Sequence, residues 1–262
     1  MKALLIGDVI GNIGRNGLRT SLSTIVDLYK IDFVIANGEN IAGGFGVTKG
    51  TVNQLFDMGV DVITSGNHIW DKKEALPLLD AEPRLLRPHN YPPKYVPGVG
   101  ARVYEIENMK IGVINLIGRV FMNFYDDPFR CADEILEWMK KETDLIFVDF
   151  HAEATSEKQA LGLYLAGRVT SVTGTHTHVM TADERVLEGG TAYITDVGMV
   201  GPLESVIGLR KDEALKRFHT LMPHRFMEVA KGEGVMNAVI VEADEKTGKA
   251  KSITRIQKSF NG

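Results

Sequence analysis

The chain has 262 residues, 44% of them hydrophobic, enough to bury one large core, so residues 1–262 are read as a single domain. Its 30 basic residues stand against 34 acidic ones, and a net charge of −4 argues against a strong nucleic-acid or membrane surface, so any bound anion must be drawn in locally. The one cysteine, Cys131, excludes an internal disulfide and points to a reducing, cytoplasmic setting; MKALLIGDV is too soon charged for a signal peptide, and no stretch reaches the ~18 apolar residues of a membrane span.

Along the chain, short aliphatic runs alternate with amphipathic segments. KALLIGDV, IDFVIANGEN and the end of TVNQLFDMGVDVITSGNH read as strands, and RNGLRTSLSTIVDLYK as a helix beginning near Arg15 or Asn16. That βαβα rhythm belongs to strands buried on both faces. From Pro88, PHNYPPKYVPGVG holds four of the nine prolines and reads as an extended surface connection. ARVYEIENMKIGVINLIG is a hairpin pattern turning at Glu107 and Asn108, CADEILEWMKKE a helix that buries Cys131, and DLIFVDF a strand. Ser156 and Gln159 have the spacing of a capping box for the helix EKQALGLYLAG. Helical composition returns from Asp212 to Lys231, broken by Pro223 into two pieces; VMNAVIVEADEKTGKAKSITRIQK then reads as a hairpin turning at Lys246, Thr247 and Gly248. Together these parts predict an α/β fold, a four-layer αββα sandwich of two mixed sheets packed face to face with helices outside.

GDVIGNIG, residues 7–14, follows the first strand as a phosphate-cradling loop would, but its glycines miss the G-x-G-x-x-G spacing of a dinucleotide-dependent oxidoreductase, and Asp8 stands at the strand tip. Four further apolar runs end the same way: FVIANGEN at Glu39 and Asn40, VITSGNH at Asn67 and His68, IFVDFH at His151, and VTSVTGTHTH at His176 and His178. Each has an ordinary explanation alone, as a helix cap, a solvated loop before AGGFG, a turn after Gly66 or a surface HxH. Five such tips together are better explained by one crevice at the carboxyl ends of the strands. In an extended segment His176 and His178 would face one side, with Thr177 turned away. Two carboxylates, one or two amides and three imidazoles exceed one tetrahedral zinc but suit two ions sharing a carboxylate. Without thiolate among them, they favour iron, manganese or zinc.

The order GD, GEN, GNH, an isolated His and GTHTH resembles the calcineurin-like metallophosphoesterases, and GDVIGNIGR, ANGENIAGGFG, TSGNHIWD, DFHAEATSEK and GTHTHV more closely resemble the YmdB-like family of bacterial phosphodiesterases. The resemblance implies one ion held by Asp8, Glu39, Asn40 and His178 and another by Glu39, Asn67, His151 and His176, with Glu39 bridging. It implies Fe2+/Fe3+ or Mn2+, with Zn2+ as an alternative. Ile10 stands where the broad superfamily has a histidine ligand, and Asn40 takes its place. His68 would stand beside the phosphate as the catalytic histidine. The activity implied is hydrolysis of cyclic nucleotides, 2′,3′-cyclic and 3′,5′-cyclic forms, by a hydroxide bridging the two ions. A phosphomonoesterase and a metal- and nucleotide-binding regulator without turnover are the competing readings, and the resemblance also allows a homo-oligomer. Arg119 is a candidate phosphate contact, Phe121 or Phe124 a candidate base contact, Gly43, Gly44 and Gly46 a mobile lid, and Glu153 and Lys158 supports for the ligands. His89, His219 and His224 show no partner pattern.

Overall fold

The computed structural model describes residues 1–92, 95–222 and 228–262. The chain begins with β1 (Lys2–Ile6) and the short β2 (Asp8–Val9), then α1 (Gly11–Tyr29), β3 (Phe33–Asn37), α2 (Lys49–Asp57), β4 (Val62–Thr64) and α3 (Ala75–Ala81). The middle holds β5 (Ala101–Ile106), β6 (Met109–Ile117), α4 (Pro128–Met139), β7 (Ile146–His151), α5 (Thr155–Tyr164) and β8 (Ser171–Thr175). Then come β9 (Arg185–Leu187), β10 (Thr191–Ile194), β11 (Met199–Pro202), α6 (Lys211–Thr220), β12 (Gly234–Ala243) and β13 (Ala250–Phe260).

The strands form two mixed sheets. One runs β4-β3-β1-β12-β11-β2 with β13 added on β12; β1, β3 and β4 are parallel and β12 is antiparallel to β1. The other runs β5-β6-β7-β8-β10-β9, with a parallel centre and antiparallel edges. Side-chain alternation sets the layers. On β1, Leu4 and Ile6 join the helix-side core with Leu18, Leu22, Val52 and Leu55, while Ala3 and Leu5 point the other way. There they meet Ile111, Val113, Phe147 and Ile194 of the second sheet, which fixes a shared core between the sheets. Ile114, Leu116, Val148 and Phe150 face outward onto Ile135, Leu136 and Leu161 of α4 and α5. Helix, sheet, sheet, helix is the predicted architecture. Among the described residues no helix is long and apolar enough to cross a membrane.

Several boundaries differ from expectation. α1 begins at Gly11, four or five residues early, with no side-chain cap, because its glycines are packing residues of the helix. A Cβ at Gly14 would collide with the carbonyl of Val200 on β11. The capping box at Ser156 does not form: α5 starts at Thr155 after Ala154, leaving Ser156 inside the first turn. The proline-rich connection is not all surface, since Pro88 and Asn90 are buried. Asn90 bonds the backbone at Ile117 and Asp126. The hairpins at Glu107 and at 246–248 stand as expected. α6 ends at Leu221 in the left-handed region; Pro223, the expected break, and His224 lie outside the described residues.

Candidate metal centre

The carboxyl ends of the parallel strands from both sheets meet at one place, and all eight of the expected residues arrive there. Asp8, fully buried on β2, accepts the His176 N–H through Oδ2 at 3.1 Å. Its Oδ1 has no hydrogen-bond partner among the described residues and lies 3.6 Å from His178 Nε2 and 3.8 Å from His151 Nδ1. A buried carboxylate oxygen left this way is costly unless something positive satisfies it. Glu39, just beyond β3, accepts the His68 N–H on Oε2 at 2.8 Å. Its Oε1 lies 3.2 Å from His151 Nε2 and accepts Asn40 Nδ2 at 3.3 Å.

Asn67 and His68 open a single 3₁₀ turn after β4, with Asn67 Oδ1 3.2 Å from His151 Nε2. The glycine before them is required by crowding: the His151 ring fills the space a Gly66 side chain would take. His151 ends β7, its Nδ1 3.0 Å from Thr175 Oγ1, which donates to Asp149 Oδ1 at 2.7 Å. Asn37 and Thr64 complete this buried polar network by donating to Asp149 Oδ2.

The three imidazoles share one pattern. His151 has Nδ1 on Thr175 and Nε2 toward Glu39, Asn67 and His176 Nδ1, the last at 3.0 Å. His176 has Nε2 on Glu153, at 3.1 Å, and Nδ1 toward the centre. His178 donates from Nδ1 to the Ile207 carbonyl at 2.8 Å, leaving Nε2 for Asp8 and for Asn40 at 3.5 Å. One nitrogen held from outside and one facing inward is how metal-binding imidazoles are oriented. Glu39, His151 and His176 each put a ligand atom within 4.8 Å of the others. The expected extended H-T-H segment is a different conformation: β8 stops at Thr175, and His176 and His178 have φ of 97° and 65°. Thr177 directs its hydroxyl to Asp196 Oδ2 at 2.7 Å while still lining the space between the two imidazoles.

Burial opposes charge on Asp8 and Glu39, yet the neighbouring imidazoles hold both carboxyls below their usual range. Desolvation works against the His178 imidazolium as well, but the Asp8 carboxylate pushes it up to about 9. Burial and the adjacent His151 push His176 down to about 3. The donor set is oxygen and nitrogen only and contains an unsatisfied anion, which suits borderline divalent cations.

Beside these groups opens a cavity of about 230 Å³, lined by Glu39, Asn40, His68, Glu153, the H-T-H segment, Ile10, Gly44, Phe45, Ile207 and Leu209. His68 Nδ1 lies 2.8 Å from Asp71 Oδ2, and the Phe45 ring is tilted against its imidazole at 5.0 Å. Arg119 does not reach the cavity: its guanidinium pairs with Asp127 at 3.4 Å and its N–H is held by Glu157. Phe121 and Phe124 are exposed outside it. Phe45, Asp71 and Asp196 were missed in the sequence. Asp71 could have been found from its i,i+3 spacing to His68, and Asp196 from its position just beyond a strand tip.

Two sheets whose strand ends converge on such a crevice define the metallophosphoesterase fold. The chain belongs to a narrower group within it: the model for the family described as YmdB-like protein matches residues 4–256. A 2′,3′-cyclic-nucleotide 2′-phosphodiesterase of Bacillus subtilis is 47% identical over 256 residues, spanning 98% of this chain and 96% of that protein. The crystal structure of a hypothetical protein from Thermus thermophilus superposes with a TM-score of 0.92 at 40% identity, covering 99% of each chain. That of a novel phosphatase from Mycoplasma pneumoniae gives 0.92 at 37%, covering 99% of this chain and 93% of the other.

Proposed function

We propose that the chain is a metal-dependent phosphoric diester hydrolase that opens 2′,3′-cyclic nucleotides. The observation that carries the reading is the orphaned Asp8 Oδ1, buried among inward-facing imidazoles at the edge of a cavity. The relative at 47% identity supports the substrate class. Asp8, Asn40 and His178 form one cluster and Asn67, His151 and His176 another, with Glu39 between them, so two cations sharing Glu39 fit the residues present. When bound, divalent cations polarise phosphoryl oxygens and make water nucleophilic at neutral pH. Iron or manganese, then zinc, suit these donors. The reading takes 1–262 as one domain in the cytoplasm, consistent with ligands drawn from both sheets and a single, buried thiol.

The chain's own residues do the rest. Asp71 holds His68 by Nδ1, so the proton that moves is the one at Nε2, handed to the ester oxygen as its bond to phosphorus breaks. Ile10, Phe45, Ile207 and Leu209 form an apolar wall that takes sugar and base and keeps bulk water off the phosphoryl group.

The test is hydrolysis of 2′,3′-cyclic AMP and bis(p-nitrophenyl) phosphate by Mn2+-loaded protein, beside a matched monoester. Diester turnover should exceed monoester turnover, and His68→Ala should lower kcat by about 10² to 10⁴ with Mn2+ stoichiometry unchanged. Two bound ions per chain with no product from either diester would refute the reading.

A further inference from the structure

The H-T-H segment poses a mechanical problem. Two non-glycine residues with φ of 97° and 65° flank Thr177, a backbone that L side chains adopt only when their surroundings enforce it. Asp8 holds one end, accepting the His176 N–H. The middle is held by a group that the proposed reaction does not use. Asp196 Oδ2 accepts both the N–H and the Oγ1–H of Thr177, at 3.1 and 2.7 Å. The same oxygen takes the Lys158 ammonium at 2.6 Å, and Oδ1 takes the Gly198 N–H at 2.8 Å. Lys158 and Asp196 are each only 1% exposed.

The pair is built into the fold from two directions. Lys158 comes from α5 and its stem crosses β8 at Gly174, where a Cβ would stand 2.9 Å from Lys158 Cδ. Asp196 follows β10, the neighbour of β8. A buried ion pair is a poor device for stability alone, because apolar groups of the same volume often do as well. Here two of the carboxylate's four bonds go to the single residue between two imidazoles.

We infer that Asp196, charged and oriented by Lys158, is a positioning residue that locks Thr177 and thereby aims His176 and His178 at the candidate metal centre. The inference rests on the reading that this centre binds cations. Through the lock, the ligand loop is ordered before any cation arrives, so the cost of ordering it is not charged against binding.

Asp196→Asn leaves Lys158 buried without its counter-ion and is liable to unfold, so the deciding variant is Thr177→Val, which keeps the shape and the N–H bond and removes the hydroxyl. The measurement is Mn2+ titration calorimetry on metal-free protein, with the melting temperature of the same samples. Thr177→Val should bind Mn2+ about 10- to 100-fold more weakly, the range for loss of an outer partner of a metal ligand. Thr177→Ser should restore wild-type affinity, and kcat of the valine variant should recover at saturating Mn2+ while its apparent Mn2+ requirement stays raised. Wild-type Mn2+ affinity in Thr177→Val, with only a lower melting temperature, would overturn the inference. Wild-type protein that binds no Mn2+ would overturn the cation reading beneath it and the inference with it.

Discussion

Replacing Gly66 by Ala tests the assembled centre without touching a proposed ligand. Gly66 has φ −146° and ψ −141°, so it does not hold the positive φ that favours glycine. The obstacle is the His151 ring, whose Cδ2, Nε2 and Cε1 occupy the space of the new methyl. Reaching ordinary van der Waals separation requires the ring to retreat by roughly 1.5 Å. It has nowhere to go, being fully buried with Thr175 on one nitrogen and Glu39, Asn67 and His176 around the other. Overpacking of this kind costs about 1–3 kcal/mol, or a few degrees of melting temperature in a chain of this size. A shift of about 1 Å in a group that organises the reacting atoms costs about 10²-fold in rate. The expected result at 25 °C is a folded protein by circular dichroism, with Mn2+ binding weakened at one site and diester hydrolysis down by about 100-fold. Activity within about threefold of wild type would show that His151 need not stand where it does, and the assignment of the GNH glycine would fail.

Asn40→Ala should weaken one Mn2+ more than the other, because Asn40 reaches only the cluster of His178 and Glu39; a two-step calorimetric isotherm should lose one step and keep the second within about threefold. Phe45→Ala should raise KM for 2′,3′-cyclic AMP by about tenfold, in the range of one lost base-stacking contact, and Phe124→Ala, outside the cavity, should leave KM unchanged. Burial pushes the Cys131 thiol up to about 11, so its thiolate fraction grows through the whole range from pH 7 to 9. Iodoacetamide labelling of native protein should therefore rise about tenfold per pH unit with no plateau, and a plateau below pH 9 would contradict the buried placement.

Much of this was legible because each proposed ligand ends an apolar run. Strand registers with both faces buried leave little choice: Leu4 and Ile6 go one way and Ala3 and Leu5 the other, so the tips at Asp8, Glu39 and His151 emerge at one end. What escaped depends on partners far along the chain. Gly14 looks like a loop residue until Val200 is placed against it, which makes its lack of a side chain a packing requirement, and Gly11 opens α1 early with a φ of 54°. Ser156 and Gln159 have the right spacing for a cap, yet α5 begins two residues sooner. The bend of H-T-H was invisible because Asp196, which holds it, lies beyond two more strands. Phe45 was hidden by its neighbours: three glycines with positive φ decide where that ring goes, and spacing does not encode their angles.

The arrangement of the first sheet also sets a clock. Asp8 is made well before the strand it needs: β2 pairs with β11, from Met199, and β1 is completed only by β12, whose Ala243 carbonyl also takes the Met1 ammonium. At synthesis rates of about 5–20 residues per second, Asp8 waits roughly 10–40 s for its strand partner. His178 emerges before β11 does, so every proposed ligand exists in the nascent chain before the sheet that gathers them can close. The centre is therefore completed late, and in a ribosome-bound fragment ending before β11 Asp8 lacks the strand with which β2 pairs.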